Sequence, residues 1–258
     1  MKFRKIALAA AAVISLAAPS LAHAEWLEAK SRHFIVYGNM PEPALRQRIE
    51  RLEKFDAALR SLFKVETSEV ATIYVTSTLA DLQRLRPENP NVAGFYVPSA
   101  QGATGFVPER MPDAYGDLSA ERILFHEYAH HMLLSNTTQY FPGWVSEGLA
   151  ELFMSARFDD SGNIIIGRPN TNRGYAMFST SRWTARRLIE SDVNPPKGDE
   201  RIELYSRGWL MCHYLLISGK RPGQFFRFIE QVNAGAKPLE AAERAFGDLD
   251  KLEVELER

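Results

Sequence analysis

The alternation of apolar and polar positions predicts mixed α/β structure in the first half of the chain and mainly helices in the second. Segments 34–37 and 71–76 are rich in β-branched and aromatic residues, which favours strands. Between them, apolar residues recur at helical spacing over residues 45–64, which predicts one long amphipathic helix. Segments 92–98 and 102–108 again have strand character and predict a β-hairpin.

The second half contains several stretches with apolar residues at helical spacing, separated by polar turns. The most apolar stretch, residues 124–134, predicts a buried helix with Asp117 or Ser119 as its N-cap. Another helix is predicted from Trp144 onward. Further helices are predicted at residues 182–190, 202–217, 223–232, 239–246 and 250–258.

The buried helix contains an H-E-x-x-H sequence at residues 126–130. Residues four apart lie on the same face of a helix, so His126 and His130 direct their imidazoles at one point. Two neutral imidazoles at this separation suit a tetrahedral zinc ion, with metal–nitrogen distances of about 2.0–2.1 Å. Glu127 lies beside the pair, where a carboxylate can take a proton from metal-bound water. We therefore predict His126 and His130 as metal ligands and Glu127 as the catalytic base.

A second acidic element follows in the sequence W-V-S-E-G-L-A-E at residues 144–151. Catalytic zinc sites have three protein ligands and an open position for water, and two histidines with one glutamate are a common set. Glu147 is the predicted third ligand. Glu151 follows one helical turn later, and we expect it to hydrogen-bond the outer nitrogen of a ligand histidine.

Together these two elements resemble the gluzincins, zinc peptidases with a downstream glutamate ligand. The sequence is most similar to the aminopeptidase N-type branch and to the smaller peptidase MA-like proteins. The resemblance implies an α+β, zincin-like fold with two lobes and zinc in the cleft. It divides the chain into an N-terminal mixed α/β lobe with an edge hairpin, residues 25–116, and a mainly helical lobe with the zinc site, residues 117–258.

The segment Tyr205-Ser206-Arg207-Gly208 is similar to the Tyr-x-Lys-Gly segment of the aminopeptidase N-type branch. The resemblance implies a catalytic role for Tyr205, whose hydroxyl stabilises the oxyanion of the tetrahedral intermediate as a preorganised neutral donor. Arg207 keeps the charge of the family's lysine but changes its geometry. Without the resemblance, a single tyrosine would be assigned a structural role.

One region departs from the aminopeptidase pattern. Those enzymes carry a Gly-x-Met-Glu-Asn motif whose glutamate binds the free amine of the substrate. Here residues 102–106 read G-A-T-G-F, without a glutamate, which argues against aminopeptidase activity. In zinc peptidases of this type, the strand at the cleft can bind an extended substrate by strand addition. The predicted hairpin is either such an edge or an ordinary covered one.

The favoured function is a zinc-dependent endopeptidase, a hydrolase that uses one Zn²⁺ ion per chain to activate water. Its substrate is a peptide or a protein. An exopeptidase of the same fold is an alternative, weakened by the missing amine-binding glutamate. A non-catalytic zinc-binding or assembly module is another, disfavoured because a structural zinc site needs no general base beside it.

Composition narrows the possible partners. The formal net charge is −1 at pH 7, without a basic patch, so nucleic acid is not an expected partner. A chain of 258 residues can bury a substantial core, as one large domain or two lobes. Cys212 is the only cysteine, so no internal disulfide can form, and its apolar neighbours predict a buried thiol. The oligomeric state is not indicated.

The first 24 residues have the pattern of a secretory signal peptide. A basic start precedes an apolar run at residues 6–18, and Ala22-His23-Ala24 is a small-x-small cleavage site. The apolar run is too short to span a bilayer comfortably. We expect cleavage near Ala24 and a periplasmic or extracellular protein without an integral membrane segment; an uncleaved anchor is the alternative.

Three other groups with metal-binding side chains are predicted to be structural. His131 breaks the four-residue spacing, so a packing or supporting role is expected. His213 lies inside an apolar helix, where a satisfied core histidine is expected. The acidic pair at residues 159–160 lacks the other ligands of an EF-hand, which predicts a turn before a strand at 164–166.

Overall fold

The computed structural model describes residues 26–65, 70–99, 102–116, 118–135, 138–171 and 183–258. The predicted signal peptide, Asp117, the turn of the hairpin and Arg182 lie outside these ranges. Among the described helices, none combines the length and the apolar character needed to cross a membrane.

A five-stranded mixed sheet dominates the first half of the chain. Its strands are β1 (Leu27–Lys30), β2 (Phe34–Gly38), β3 (Ala71–Thr76), β4 (Phe95–Ser99) and β5 (Gly102–Pro108). They lie in the order β1-β2-β3-β5-β4. The three central strands are parallel, whereas β1 and β4 pair with them in antiparallel orientation at the two edges.

Helix α1 (Glu42–Phe63) connects β2 to β3, as the apolar spacing predicts. Its apolar stripe, which includes Leu45, Leu52 and Leu59, is buried in the core. The helix ends where Lys64 adopts a left-handed conformation with φ of 54°. The short helix α2 (Leu79–Arg84) follows β3 and begins with a capping box.

Helices form most of the second half. They are α3 (Ala120–Ser135), α4 (Gly143–Phe153), α5 (Ala185–Glu190), α6 (Arg201–Leu216), α7 (Gln224–Asn233), α8 (Pro238–Phe246) and α9 (Leu249–Leu256). Short 3₁₀ turns lie at Asp113–Tyr115 and Gly198–Glu200, and β6 (Arg157–Phe158) pairs with β7 (Ile164–Ile165). One hydrophobic cluster extends from β2 to α9, so both halves share a core. A small mixed sheet followed by helices confirms the coarse prediction of a mixed α/β first half and a mainly helical second half.

Several predicted bounds differ from those observed. The helix expected at 182–190 begins at Ala185, because the Thr184 side chain accepts a hydrogen bond from the backbone N–H of Arg187 and acts as N-cap. The last helix spans Leu249–Leu256, with Asp248 as its N-cap. The turn before β7 is confirmed, since the Asp159 carboxylate accepts bonds from two following backbone N–H groups.

Strand β1 was not predicted, and β4 begins later than predicted. Residues 27–30 include glutamate, alanine and lysine, which are poor strand formers, so the pairing with β2 determines their conformation. The hairpin strand predicted from residue 92 begins at Phe95. Just before it, a Cβ atom at Gly94 would lie 2.3 Å from Cγ2 of Ile123. The backbone at Gly94 is therefore pressed against helix α3.

A row of aromatic side chains crosses the sheet. Tyr37, Tyr74, Phe106 and Phe95 lie directly opposite one another on β2, β3, β5 and β4. Their neighbouring rings stack with centroids 5.1, 5.3 and 4.7 Å apart. The guanidinium of Arg86 lies 4.9 Å from the ring centroid of Phe95 at one end of the row. Such cross-strand pairs stabilise the register and hold the edge strand β4 in place.

Candidate metal centre

Helix α3 is held in a defined rotation about its axis. The Ser119 side chain accepts a hydrogen bond from the backbone N–H of Arg122 and so caps its first turn, as predicted. On the face toward α1, Phe125 stacks on Phe55 with ring centroids 4.2 Å apart. The Tyr128 hydroxyl donates a hydrogen bond of 2.5 Å to Asp56. These contacts leave the face that carries the two predicted ligand histidines directed toward α4.

The three predicted metal ligands meet at one point. Nε2 of His126 and Nε2 of His130 lie 3.2 Å apart. The Oε2 atom of Glu147, on α4, lies 3.4 Å from the first nitrogen and 3.3 Å from the second. In a tetrahedral site with metal–ligand distances of about 2.0–2.1 Å, two ligand atoms are separated by about 3.3–3.4 Å. The triangle of donor atoms therefore has the dimensions of three corners of a zinc tetrahedron.

The hydrogen bonding of Glu147 supports the same interpretation. Its Oε2 atom is buried and has no hydrogen-bond partner among the described residues. Buried carboxylate oxygens without a partner are costly, because they lose their hydration without compensation. A divalent cation at the centre of the triangle would supply the missing interaction. The residues present therefore fit a metal ion.

Electrostatics at the site favour a positive charge. Burial alone lowers the pKa of His126, but the Glu147 carboxylate and the charges of Glu151 and Glu127 outweigh it and raise the pKa to about 9. Burial alone raises the pKa of Glu147, but the two imidazoles outweigh it and hold the pKa well below its usual range. The carboxylates of Glu127, Glu147 and Glu151 thus all act on His126, and a site with this much negative charge is suited to a cation.

Glu127 lies beside the triangle and lines a cavity of about 270 Å³. Burial raises the pKa of its carboxyl group, while the nearby imidazoles of His126 and His130 oppose this shift. It is not a member of the three-residue donor cluster. A carboxylate with a raised pKa at the wall of a cavity is suited to take up and return a proton.

The outer nitrogens of the two ligand histidines face different groups. Nδ1 of His130 and Oγ of Ser146 are 3.0 Å apart, so this ring can donate a hydrogen bond to the serine. Ser146 was not predicted, because its contact with His130 depends on how α4 packs against α3. Nδ1 of His126 lies 3.7 Å from Oε1 of the buried Glu151. Glu151 thus lies beside the predicted nitrogen, but the predicted hydrogen bond is not formed at this distance.

Tyr205 lies at the same cavity as Glu127, as the predicted role requires. It extends from helix α6, and its ring centroid is 6.2 Å from that of His126. The next residue but one, Arg207, turns away from the cavity. Its guanidinium forms an ion pair of 2.5 Å with Glu253 on α9. Arg207 therefore links α6, the helix that carries Tyr205, to α9.

The cavity lies between the two halves of the chain. One wall is the segment of residues 91–94 that leads into β4, and another is formed by Leu118 and Ile123 at the start of α3. Met154, at the end of α4, completes its apolar lining. The lining is thus partly apolar and partly polar, and it includes the predicted metal ligand His126.

The other candidate residues lie outside the donor triangle. His131 is fully buried, with its Nδ1 atom 2.5 Å from the hydroxyl of Tyr96 on β4, and burial lowers its pKa to about 4. This confirms the packing role expected for it. Cys212 is buried, as predicted, and burial raises the pKa of its thiol. His213 is only half-buried and stacks on Trp209, so its prediction as a core residue is correct only in part.

A second group of metal-binding side chains, His33, Glu53 and Asp56, was not predicted. Nδ1 of His33 lies 2.8 Å from Glu53 and 3.1 Å from Asp56. The Asp56 carboxylate also accepts hydrogen bonds of 2.8 and 2.7 Å from Arg60. An arginine in this position supplies the positive charge that a cation would otherwise provide. We therefore interpret this group as an internal ion-pair network.

Comparison with known proteins adds one match. A search among curated proteins finds no match to this chain. The segment from residue 123 to residue 240 matches the family described as Protein of unknown function (DUF1570). This segment includes His126, Glu127, His130, Glu147 and Tyr205. The chain is therefore similar to that family over the part that carries the candidate metal centre.

Proposed function

We propose that the protein is a zinc-dependent endopeptidase of the gluzincin type. The observation that carries this proposal is the donor triangle of His126, His130 and Glu147, with an unsatisfied carboxylate oxygen at one corner. A structural site would need a fourth protein ligand, whereas the donor cluster among the described residues has three members. The open fourth position and the adjacent Glu127 favour catalysis.

The chemistry assigns one role to each side chain. His126, His130 and Glu147 would hold a Zn²⁺ ion, which would supply a Lewis acid for water and for a substrate carbonyl group. Glu127 accepts the proton of the attacking water and then delivers it to the leaving amine, for which its raised pKa is suited. The Tyr205 hydroxyl donates a hydrogen bond to the developing oxyanion. Ser146 orients the His130 ring through its hydrogen-bond contact, and the Glu151 carboxylate faces the outer nitrogen of His126 at 3.7 Å.

The sheet edge supports cleavage within an extended chain. Among the described strands, β4 pairs only with β5, so its other edge has hydrogen-bonding groups for an additional strand. The residues just before β4 line the cavity that contains Glu127. A substrate added to this edge would pass the metal centre in extended form. This arrangement supports our proposal of a two-lobed, zincin-like cleft.

The cavity also favours some substrates over others. At about 270 Å³ it is smaller than the roughly 300–1,000 Å³ of sites for drug-sized ligands, so it accommodates one side chain of a peptide. The carboxylates of Glu127 and Glu151 line it, and no lysine or arginine does so among the described residues. Repulsion between like charges therefore disfavours an acidic substrate side chain at this position.

The exopeptidase alternative has less support. In the region where aminopeptidases carry the glutamate that binds a free amine, this chain forms strand β5. Its residues there are glycine, alanine, threonine and phenylalanine, none of which pairs with an ammonium group. The signal-peptide pattern supports export, so we expect the substrate to be a peptide or protein in the periplasm or outside the cell.

A peptide digest tests the proposal. The zinc-loaded protein and its Glu127→Gln variant are incubated with a diverse peptide mixture, and the products are identified by mass spectrometry. We expect cleavage at internal bonds that is lost with the variant, although the variant still binds zinc. Release of single terminal residues would identify an exopeptidase instead. Identical products from both proteins would contradict a peptidase.

A further inference from the structure

Helices α4 and α6 touch through their backbones. A Cβ atom added to Gly148 on α4 would lie 2.4 Å from the carbonyl oxygen of Gly208 and 2.8 Å from Sγ of Cys212. A Cβ atom added to Gly208 on α6 would lie 2.8 Å from the carbonyl oxygen of Trp144. Non-bonded atoms attract one another best at about 3.5–4.0 Å. Neither position therefore has space for a side chain.

The glycine crossing, where Gly148 of α4 meets Gly208 of α6, lies between two predicted functional side chains. Gly148 directly follows the metal ligand Glu147, and Gly208 lies three residues after Tyr205. Residues three apart in a helix share a face, so Tyr205 extends from the side of α6 that meets α4. The separation of the two helix axes therefore determines how far the Tyr205 hydroxyl lies from the metal centre.

Glycine is unfavourable in the interior of a helix relative to alanine, because it loses more conformational freedom on folding. Both glycines are buried in the middle of their helices, so each carries the full entropic cost of a glycine in a helix interior. The close approach of the two backbones is the structural feature that explains them. Any other residue would move one helix away from the other.

Helix α6 is also held from its other side. The guanidinium of Arg207 pairs with Glu253 on α9, and the same carboxylate accepts a hydrogen bond from the backbone N–H of Ala185. Arg207 and Glu253 are both largely buried. With α6 held between α4 and α9, a side chain inserted at the glycine crossing displaces the segment that carries Tyr205.

We propose that the contact between Gly148 and Gly208 sets the separation of α4 and α6 and thereby places the Tyr205 hydroxyl at the oxyanion of the tetrahedral intermediate. The proposal rests on the catalytic function proposed above for Tyr205. Neither glycine lines the cavity or belongs to the donor triangle. They act through the distance between two helices.

The test variant is Gly208→Ala, because the added methyl group stands on α6 and not on α4, which carries Glu147; zinc affinity is measured beside activity, since this methyl group would lie 3.2 Å from Cα of Gly148. We expect kcat to fall by about 10- to 100-fold, the cost of misplacing a catalytic group by about 1 Å. KM and the affinity for zinc are expected to change by less than about threefold. Gly143→Ala is the matched control, because its Cβ would meet only Asp192 at an ordinary 3.7 Å.

The variant is then combined with Tyr205→Phe. If Gly208 acts through the Tyr205 hydroxyl, Gly208→Ala lowers kcat in the native protein and has little further effect once the hydroxyl is removed. A merely structural role would lower kcat by the same factor in both backgrounds. Equal factors would overturn the proposal.

A crystal structure of Gly208→Ala, with or without metal, gives a measurement that needs no activity. We expect the distance between the ring centroids of Tyr205 and His126 to increase from 6.2 Å by about 0.5–1 Å. An unchanged distance would overturn the inference and leave the proposed function intact. An inactive native protein would contradict the proposed function. The distance between the two rings would still test whether the glycine contact positions Tyr205.

Should Gly208→Ala not fold, Cys212→Leu takes its place, because Cys212 lies at the same crossing one turn later. The larger side chain separates the helices from within the contact, whereas Cys212→Ala removes volume without separating them. We expect the ring distance to increase only with leucine. The same increase with both substitutions, or with neither, would overturn the proposal.

Discussion

At the scale of single residues, each predicted ligand histidine has a polar side chain near its outer nitrogen, Ser146 at 3.0 Å from His130 and Glu151 at 3.7 Å from His126, and the two differ in how readily a sequence shows them. Glu151 is found from its spacing to Glu147, since residues four apart share a helix face. Ser146 is one position before the ligand and is not on that face in a simple helical projection. It reaches His130 because α4 crosses α3 at the metal centre. Only the tertiary arrangement of the two helices reveals that contact.

Removal of the Ser146 hydroxyl should weaken metal binding. Ser146→Ala leaves Nδ1 of His130 without its 3.0 Å partner, and losses of this kind typically cost about 10–100-fold in affinity for the metal. Competition with a chelator of known zinc affinity measures the effect. Ser155→Ala is the control, because its buried hydroxyl donates only to a backbone carbonyl of α4. Equal affinities of Ser146→Ala and the native protein would refute the supporting role.

His131 should make the stability of the protein depend on pH. Burial lowers its pKa to about 4 in the folded protein, from an ordinary value of 6.5. Its contribution is therefore fully present above about pH 6.5 and is lost as the pH falls toward 4, by about 3 kcal/mol in total. Urea unfolding of the metal-free protein between pH 7 and pH 4 measures this. In His131→Gln the decline should be smaller by that amount; an unchanged decline would contradict the assignment.

At the scale of secondary-structure elements, periodicity predicts the long helices and central strands because local side-chain pattern and burial agree there. Helix α1 and strand β3 have the expected positions. The failures occur at the edges of the sheet. Strand β1 forms from poor strand formers that pair with β2, and β4 begins only after the close contact at Gly94. Both depend on contacts with another element, which the strand propensity of the segment itself does not show.

The contact at Gly94 predicts a specific pair of substitutions. Gly94→Ala places a methyl group 2.3 Å from Cγ2 of Ile123, so β4 must move away from α3, at a cost of about 1–3 kcal/mol. Ile123→Ala removes the obstructing atom. We expect the two substitutions together to destabilise the protein less than the sum of their separate effects, measured by urea unfolding. Strict additivity would show that the two residues do not contact each other.

At the scale of the whole molecule, the fold brings three helices to one candidate site. Helix α3 supplies His126, Glu127 and His130, α4 supplies Glu147, and α6 supplies Tyr205. The sequence predicted these residues from their spacing and from the resemblance to gluzincins. It did not predict the Gly148–Gly208 crossing, because contact between two helices depends on their packing. It also did not predict the ion-pair network around Asp56 that joins α1 to α3.

The most direct test of a catalytic zinc at this centre is reactivation of the metal-free protein. After removal of metal with a chelator, zinc is added in steps, and cleavage of a peptide identified in the digest is followed. We expect activity to rise linearly and to reach its maximum at one zinc ion per chain. Glu127→Gln should bind the same amount of zinc without gaining activity. Full activity in the metal-free protein, or in Glu127→Gln, would contradict the proposed mechanism.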